Sequence, residues 1–298
     1  MYFSDTTRTG RPIAKAPYVI RFKNHYFLYY SIAPSTREGW GIGIATSTDL
    51  TTWRKVGELA PAADYERQGL CAPGALVRGD SLHLFYQTYG NGPKDAICHA
   101  VSADGVHFLR DTSNPIFHPT GTWTVGRAIA AEVVAFNQHY LLYFATRDPT
   151  FRVQVQGVAT TPLQTNFGRL AWTQQGSGPV LSPQLAWEKK CVEGASCLRR
   201  GKWLYMFYAG GYNNEPQQIG VTRSRDGLTW TRLSDRPLLP NGPVGSWNAS
   251  ESGHPNIFKD PLSRRTYLFY QGNKDNGRTW YLSKVRIKWR RGYPYLAE

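Results

Sequence analysis

The stretch AAEVVAFNQHYLLYFATRDP at 130–149 places Glu132 at the head of one apolar strand and the pair Arg147 and Asp148 just past the end of the next. A carboxylate taken out of water without a partner either costs several kcal/mol or takes up a proton. Acids at both mouths of a buried hairpin therefore call for a use. A third acid, Glu193 in VEG, and a histidine, His254 in GHP, stand at the heads of two later strands. One carboxyl that keeps its proton beside another that stays ionised is the equipment of acid–base cleavage, the first donating to a leaving oxygen while the second attacks or activates water.

The elements that must position these groups repeat. Five aromatic-rich segments, HYFLYYS (25–31), SLHLFYQ (81–87), HYLLYFA (139–145), WLYMFYA (203–209) and TYLFYQG (266–272), each follow a shorter apolar strand and precede a third strand. Closing aromatics at Trp53, Phe108, Trp172, Trp230 and Trp289 recur 55 to 64 residues apart, a propeller-blade period. Asp-Gly pairs at 104–105 and 226–227 mark hairpins between third and fourth strands. The expected fold is all-β, a five-bladed β-propeller with four antiparallel strands per blade, and the whole of 1–298 reads as one domain.

The first strand of each blade lines the axis of a propeller. Aligning the five first strands stacks Ala16, Ala72, Glu132, Glu193 and His254 at one end of one funnel. Second strands run back to that face, which brings Asp148 to the rim beside the two glutamates. Trp123, Trp187 and Trp247 lie six to nine residues ahead of these positions. Each is either a platform for the apolar face of a sugar or a wedge between blades. Lys15, Arg127 and Arg147, with Arg67, approach the same mouths, where they would hold an anionic sugar or pair with the carboxylates.

The formal charge of +14 is spread along the chain. No nucleic-acid-binding motif accompanies it, so neither nucleic acid nor a membrane is expected as partner. No apolar run is long enough to span a bilayer, and the first residues do not read as a signal peptide. Localisation stays undecided, with export favoured if a leader has been removed. Four cysteines in 298 residues match no zinc spacing and read as mostly buried thiols, with one bridge left open. The sequence says nothing about oligomeric state.

Taken in order, CAPG at 71–74, AE at 131–132, VEG at 192–194 and GHP at 253–255 resemble the blade motifs of the five-bladed glycoside hydrolases related to families 43, 32 and 117. The resemblance spans essentially the whole chain. It implies that Glu193 is the general acid, that Glu132 stands for a pKa-modulating aspartate, and that His254 is the axial histidine. It also implies an oligosaccharide or polysaccharide substrate cut at a terminal, arabinofuranoside-like sugar. In blade 1 the family's base aspartate is replaced by Ala16 in KAPYVI. RDP at 147–149 resembles a family 32 motif but follows the second strand.

Glu132 and Glu193 are expected to divide the acid and base or nucleophile roles. Adjacent blades favour a separation near the roughly 5–5.5 Å of retaining enzymes. Inversion would need Asp148, Asp5 or Glu251 as base. No cofactor is expected, with a structural or axial calcium ion left open. Two other readings stay open: an inactive glycan-binding propeller, which would explain Ala16, and a phosphate-dependent phosphorylase, which would explain the cationic balance.

Overall fold

The computed structural model describes residues 3–35 and 38–297, which form five four-stranded antiparallel sheets, each built in sequence order from the innermost strand outward. The innermost strands are Ala14–Phe22, Leu70–Arg78, Ile129–Phe136, Val192–Arg200 and Glu251–Lys259 for blades 1 to 5. Each touches the innermost strands of both neighbours, and blade 5 touches blade 1, so the ring closes. Closure is reinforced by the chain start, where Phe3 exchanges backbone hydrogen bonds of 2.9 and 2.8 Å with Leu282 on the third strand of blade 5. The five-bladed propeller expected from the repeats is what forms.

The aromatic segments are the second strands, buried along nearly their whole length because a blade is covered on both faces. Their buried tyrosines need partners for their hydroxyls. Tyr29 donates to the Gly105 carbonyl at 2.8 Å, Tyr143 to Gly227 at 2.7 Å and Tyr205 to Gly292 at 2.8 Å, each partner lying in the outer hairpin turn of the next blade. Two of those turns are the Asp-Gly pairs read from the sequence. All four cysteines are free thiols, with Cys71, Cys98 and Cys191 buried and Cys197 partly so.

Every innermost strand carries a bulge at the same height. Pairing with the second strand skips between Lys15 and Tyr18, Cys71 and Gly74, Ile129 and Glu132, Glu193 and Ser196, and Gly253 and Asn256. The first bulge residue has a left-handed backbone in all five blades: Ala16 (φ 46°), Ala72 (48°), Ala130 (51°), Gly194 (60°) and His254 (42°). Such a conformation is strained for a residue with a Cβ. It persists because neighbouring blades hold it. The Ala16 N–H donates to Gln271 (2.8 Å), Ala72 to Ser31 (2.8 Å), Ala130 to Gln87 (2.9 Å) and His254 to Gln217 (3.2 Å).

A second ring of hydrogen bonds lies just past the bulges. Val19 N–H donates to Asn256 (2.9 Å), Ile257 to Ser196 (2.9 Å) and Cys197 to Glu132 (2.7 Å). Asn256, Ser196 and Glu132 occupy one register position, two residues after the left-handed one. The bulges therefore correct the sequence alignment. Glu132 is level with Tyr18 and Ser196, below the bulge, and it is Ala130 that is level with Ala16 and His254. A bulge inserts a residue that counting along a regular strand does not reveal.

Glu132 is 2% exposed, and its Oε2 has no hydrogen-bond partner. Burial pushes its carboxyl from 4.5 up to about 8, against the opposing pull of the Cys197 N–H and the Tyr18 hydroxyl. Between those two values the folded chain keeps a proton that the unfolded chain has released. Stability therefore falls as pH rises through that window, by about 1.4 kcal/mol per pH unit at the steepest, and levels off above it. Glu132→Gln keeps an acceptor for Cys197 and removes the titration. Thermal melts across the window are expected to show the variant gaining on the parent as pH rises, and parallel curves would mean that Glu132 titrates normally.

Candidate active site

Above the bulges the axis opens into a cavity of about 290 Å³ whose wall draws on all five blades. Below, the channel narrows to a void of about 30 Å³ lined by Ala16, Ala72, Ala130 and by Pro17, Pro73 and Pro255. Its wall contains Lys15, Cys71, Ile129 and Glu193, the residues immediately before the left-handed positions of blades 1 to 4, because the bulge turns that residue toward the mouth. His254 joins them from blade 5.

Glu193 is the cavity's only carboxylate among the described residues. Gln217 Nε2 donates to its Oε1 at 2.7 Å, Gln154 Nε2 donates to its Oε2, and His254 Nε2 lies 3.4 Å from Oε1. Gln217 thus ties two parts of the site together, since its own oxygen holds the His254 backbone. Burial pushes the Glu193 carboxyl up, but His254, Gln217 and Arg127 outweigh burial and hold it below its ordinary value. Gripped by amides, the group is an ionised carboxylate.

Three cations share the wall. Arg127 Nη1 and Arg147 Nε point to Gln154 Oε1 at 3.5 and 3.4 Å, behind the amide that binds Glu193. Arg147 stacks on Phe151 and Tyr212, at 4.5 and 5.2 Å. Lys15 Nζ sits 4.0 Å over the Trp280 ring and reaches the Asn213 side-chain oxygen at 3.2 Å. Burial lowers the Lys15 pKa, although Glu251 behind it works the other way.

The remaining acids read from the sequence are elsewhere. Glu132 lies below the bulge, as described. Asp148 caps its own turn, accepting from Thr150 Oγ1, Arg152 N and Val153 N at 2.6 to 2.9 Å, and does not line the cavity. Asp5 is bound by Thr7, Tyr30 and Lys55. Glu251 accepts from Gln271 and from Asn214 N, both at 2.6 Å, and burial raises it to about 7. Arg67 pairs with Asp64 in solvent. The proximity of Glu132 to Glu193, on which the preference for retention rested, is not found in the cavity.

The three tryptophans are wedges rather than platforms. Trp123 covers Gly157 and tilts on Phe144, Trp187 covers Gly210 and Gly220 and stacks on Tyr208, and Trp247 covers Gly272 beside Tyr270. The cavity's aromatics are instead Trp40, Tyr89 and Tyr212. Tyr89 and Tyr212 follow the ends of second strands by one and two residues. That return to the mouth was legible, and the aromatic residues there were its signal. Among the described residues no cluster of three or more His, Cys, Asp or Glu is placed to hold a metal ion, and no helix is long and apolar enough to cross a membrane.

The model of glycosyl hydrolases family 43 matches residues 9–294. The chain belongs to that family. Its fold is also that of solved family 43 structures. A thermostable family-43 glycoside hydrolase superposes with TM-score 0.78 at 17% identity, covering 96% of this chain and 93% of the other. An endo-1,4-beta-xylanase from Bacteroides thetaiotaomicron gives 0.75 at 18%, covering 96% and 94%. A family 32 beta-fructofuranosidase from Bombyx mori gives 0.72 at 15%, covering 95% of this chain and 62% of its own. The family 43 chain is an O-glycosyl hydrolase by this membership, and carbohydrate is its substrate class.

Gly194 separates Glu193 from the rest of its strand at a left-handed position, and a Cβ there would stand 3.2 Å from His254 Nδ1. Gly194→Ala should cost about 1 kcal/mol of stability through its backbone. By displacing the imidazole from Glu193 it should also lower turnover by roughly tenfold or more. A melt together with kcat measures both. Unchanged kcat would mean that the His254 position is not tied to Gly194.

Proposed function

We propose that this family 43 enzyme is exo-acting and releases one terminal sugar from a glycan, with Glu193 as the group that gives the leaving oxygen its proton. One observation carries the reading. A cavity large enough for about a single sugar ring, narrowing below to a void of about 30 Å³, has one carboxylate in its wall among the described residues. Trp40, Tyr89 and Tyr212 offer apolar faces to the ring, and an arabinofuranoside-like unit fits a cavity of this size. Polymer beyond the scissile bond stays outside.

His254, Gln217 and Arg127 hold Glu193 ionised, so it must gain its proton in the substrate complex. Burial is the largest influence on it, and a sugar that displaces cavity water strengthens that influence. Gln154 and Gln217 fix its direction. His254, 3.4 Å away, is the wall's only imidazole among the described residues and orients the same carboxyl. Glu132 acts in the fold and not in the chemistry, and no cofactor takes part.

The test is Glu193→Gln assayed on glycosides with poor and good leaving groups. The variant is expected to lose about 10²- to 10⁴-fold on a poor leaving group and much less on an activated aryl glycoside, which needs little protonation. The melting temperature should stay near that of the parent. An equal loss on both substrates would remove the donor role, and full activity would remove Glu193 from the reaction.

A further inference from the structure

Lys15, Arg127 and Arg147 line a cavity whose wall holds one carboxylate among the described residues, and in two places a neutral amide stands between a cation and a carboxylate. Arg127 Nη1 and Arg147 Nε converge on Gln154 Oε1 from 3.5 and 3.4 Å, while the nitrogen of the same amide donates to Glu193. Lys15 Nζ reaches the Asn213 side-chain oxygen at 3.2 Å, while the nitrogen of that amide lies 2.9 Å from Glu251 Oε1. An amide carries no net charge, so neither one cancels the charge of the cation it holds. Arg127 also has Asp95 Oδ2 at 3.5 Å from its Nε, but that Nε makes no hydrogen bond.

The cations are also held in place. Arg147 lies over Phe151 and Tyr212, which fixes the plane of its guanidinium and leaves the edge N–H groups to make contacts, and Lys15 sits over Trp280. The two arginine contacts to Gln154 are long for hydrogen bonds and readily exchanged for shorter, charge-assisted bonds to an anion. A neutral sugar seated against this wall would take water from three cations and return no counter-charge. From this juxtaposition we infer that Lys15, Arg127 and Arg147 form an oxyanion subsite that selects a terminal sugar carrying a negative group, a carboxylate or a sulfate ester. The inference rests on the exo-acting reading with Glu193 as proton donor, and it makes the substrate an acidic glycan. The size of the cavity sets how many rings enter, and its cations set which ring.

The same contact serves Glu193. Gln154 puts the subsite one amide away from the proton donor, and Arg127 is among the groups that hold that carboxyl below its ordinary value. An anion bound to Arg127 offsets the arginine's charge and is itself a like charge near Glu193, and both effects favour the protonated carboxyl in the complex. Lys15 faces Glu193 as well, and the other titratable groups that do so are His254, Cys191 and Tyr212. Burial keeps the last two neutral by raising them, Tyr212 to about 12. The charge on the sugar thus helps to load the donor that cleaves it.

The experiment measures kcat and KM of the whole protein on aryl glycosides that share one leaving group and differ in the sugar: neutral furanosides and pyranosides, the matching uronides, and the matching sulfate esters. The expected result is a kcat/KM at least about a hundredfold higher for an anionic sugar than for its neutral counterpart, as charge-assisted contacts to more than one cation imply. Its KM should rise with ionic strength. The uronide and sulfate arms tell which anion is taken. Arg147→Gln should lower kcat/KM on the anionic glycoside about ten- to a hundredfold, as loss of one such contact implies, and on the neutral one far less. Neutral glycosides cleaved as well as anionic ones overturn this inference and leave the exo-hydrolase reading standing. An anionic preference that Arg147→Gln and Lys15→Met both leave intact overturns its assignment to these cations. No cleavage of any member of the panel removes both readings.

Discussion

The structure depends on a left-handed residue in the innermost strand of each blade, held in blades 1, 2, 3 and 5 by a side chain from the blade before it. The bulge bends all five innermost strands at the same height around the axis. The strain of a positive φ at Ala16, Ala72, Ala130 and His254 is local, while the compensation comes from Gln271, Ser31, Gln87 and Gln217 across blade boundaries. Each blade is thus completed by its neighbour. Blade shape and ring closure are consequently one constraint.

That constraint sorts side chains into two levels. The residue before the bulge faces the mouth, which is how Lys15, Cys71 and Glu193 come to line one cavity. Two residues past the left-handed position, the side chain turns into the blade interface and serves as an acceptor for the next strand, as Glu132, Ser196 and Asn256 do. Glutamates on the innermost strands of adjacent blades therefore have opposite fates. Glu193 is kept ionised by amides and by His254, and Glu132 is pushed up to about 8 by burial. The difference lies in register, since both are buried carboxyls.

Much of this was legible in the sequence. The aromatic second strands and the Asp-Gly turns give the blade count because their spacing follows from a fixed sheet size. Glu193, His254, Lys15, Arg127 and Arg147 were found by asking which ends of strands reach the axis. Glu132 was misplaced because a bulge residue such as Ala130 looks like any other alanine until its φ is known. Trp123, Trp187 and Trp247 were ambiguous because an indole suits a sugar and a glycine gap equally well. The structure resolves that ambiguity by setting them over Gly157, Gly210 with Gly220, and Gly272. Asp148 looked like a rim carboxylate, and the turn at 148–153 consumes it.

The central claim is that the bulge gives Glu193, and not Glu132, to the cavity. Carboxyl-carbon NMR of protein labelled at glutamate, assigned with Glu193→Gln and Glu132→Gln, tests it most directly. The account predicts a Glu193 resonance that titrates below the ordinary carboxylate value and a Glu132 resonance that titrates near 8. A Glu193 that titrates above the ordinary carboxylate value beside a Glu132 that titrates at or below it would contradict it.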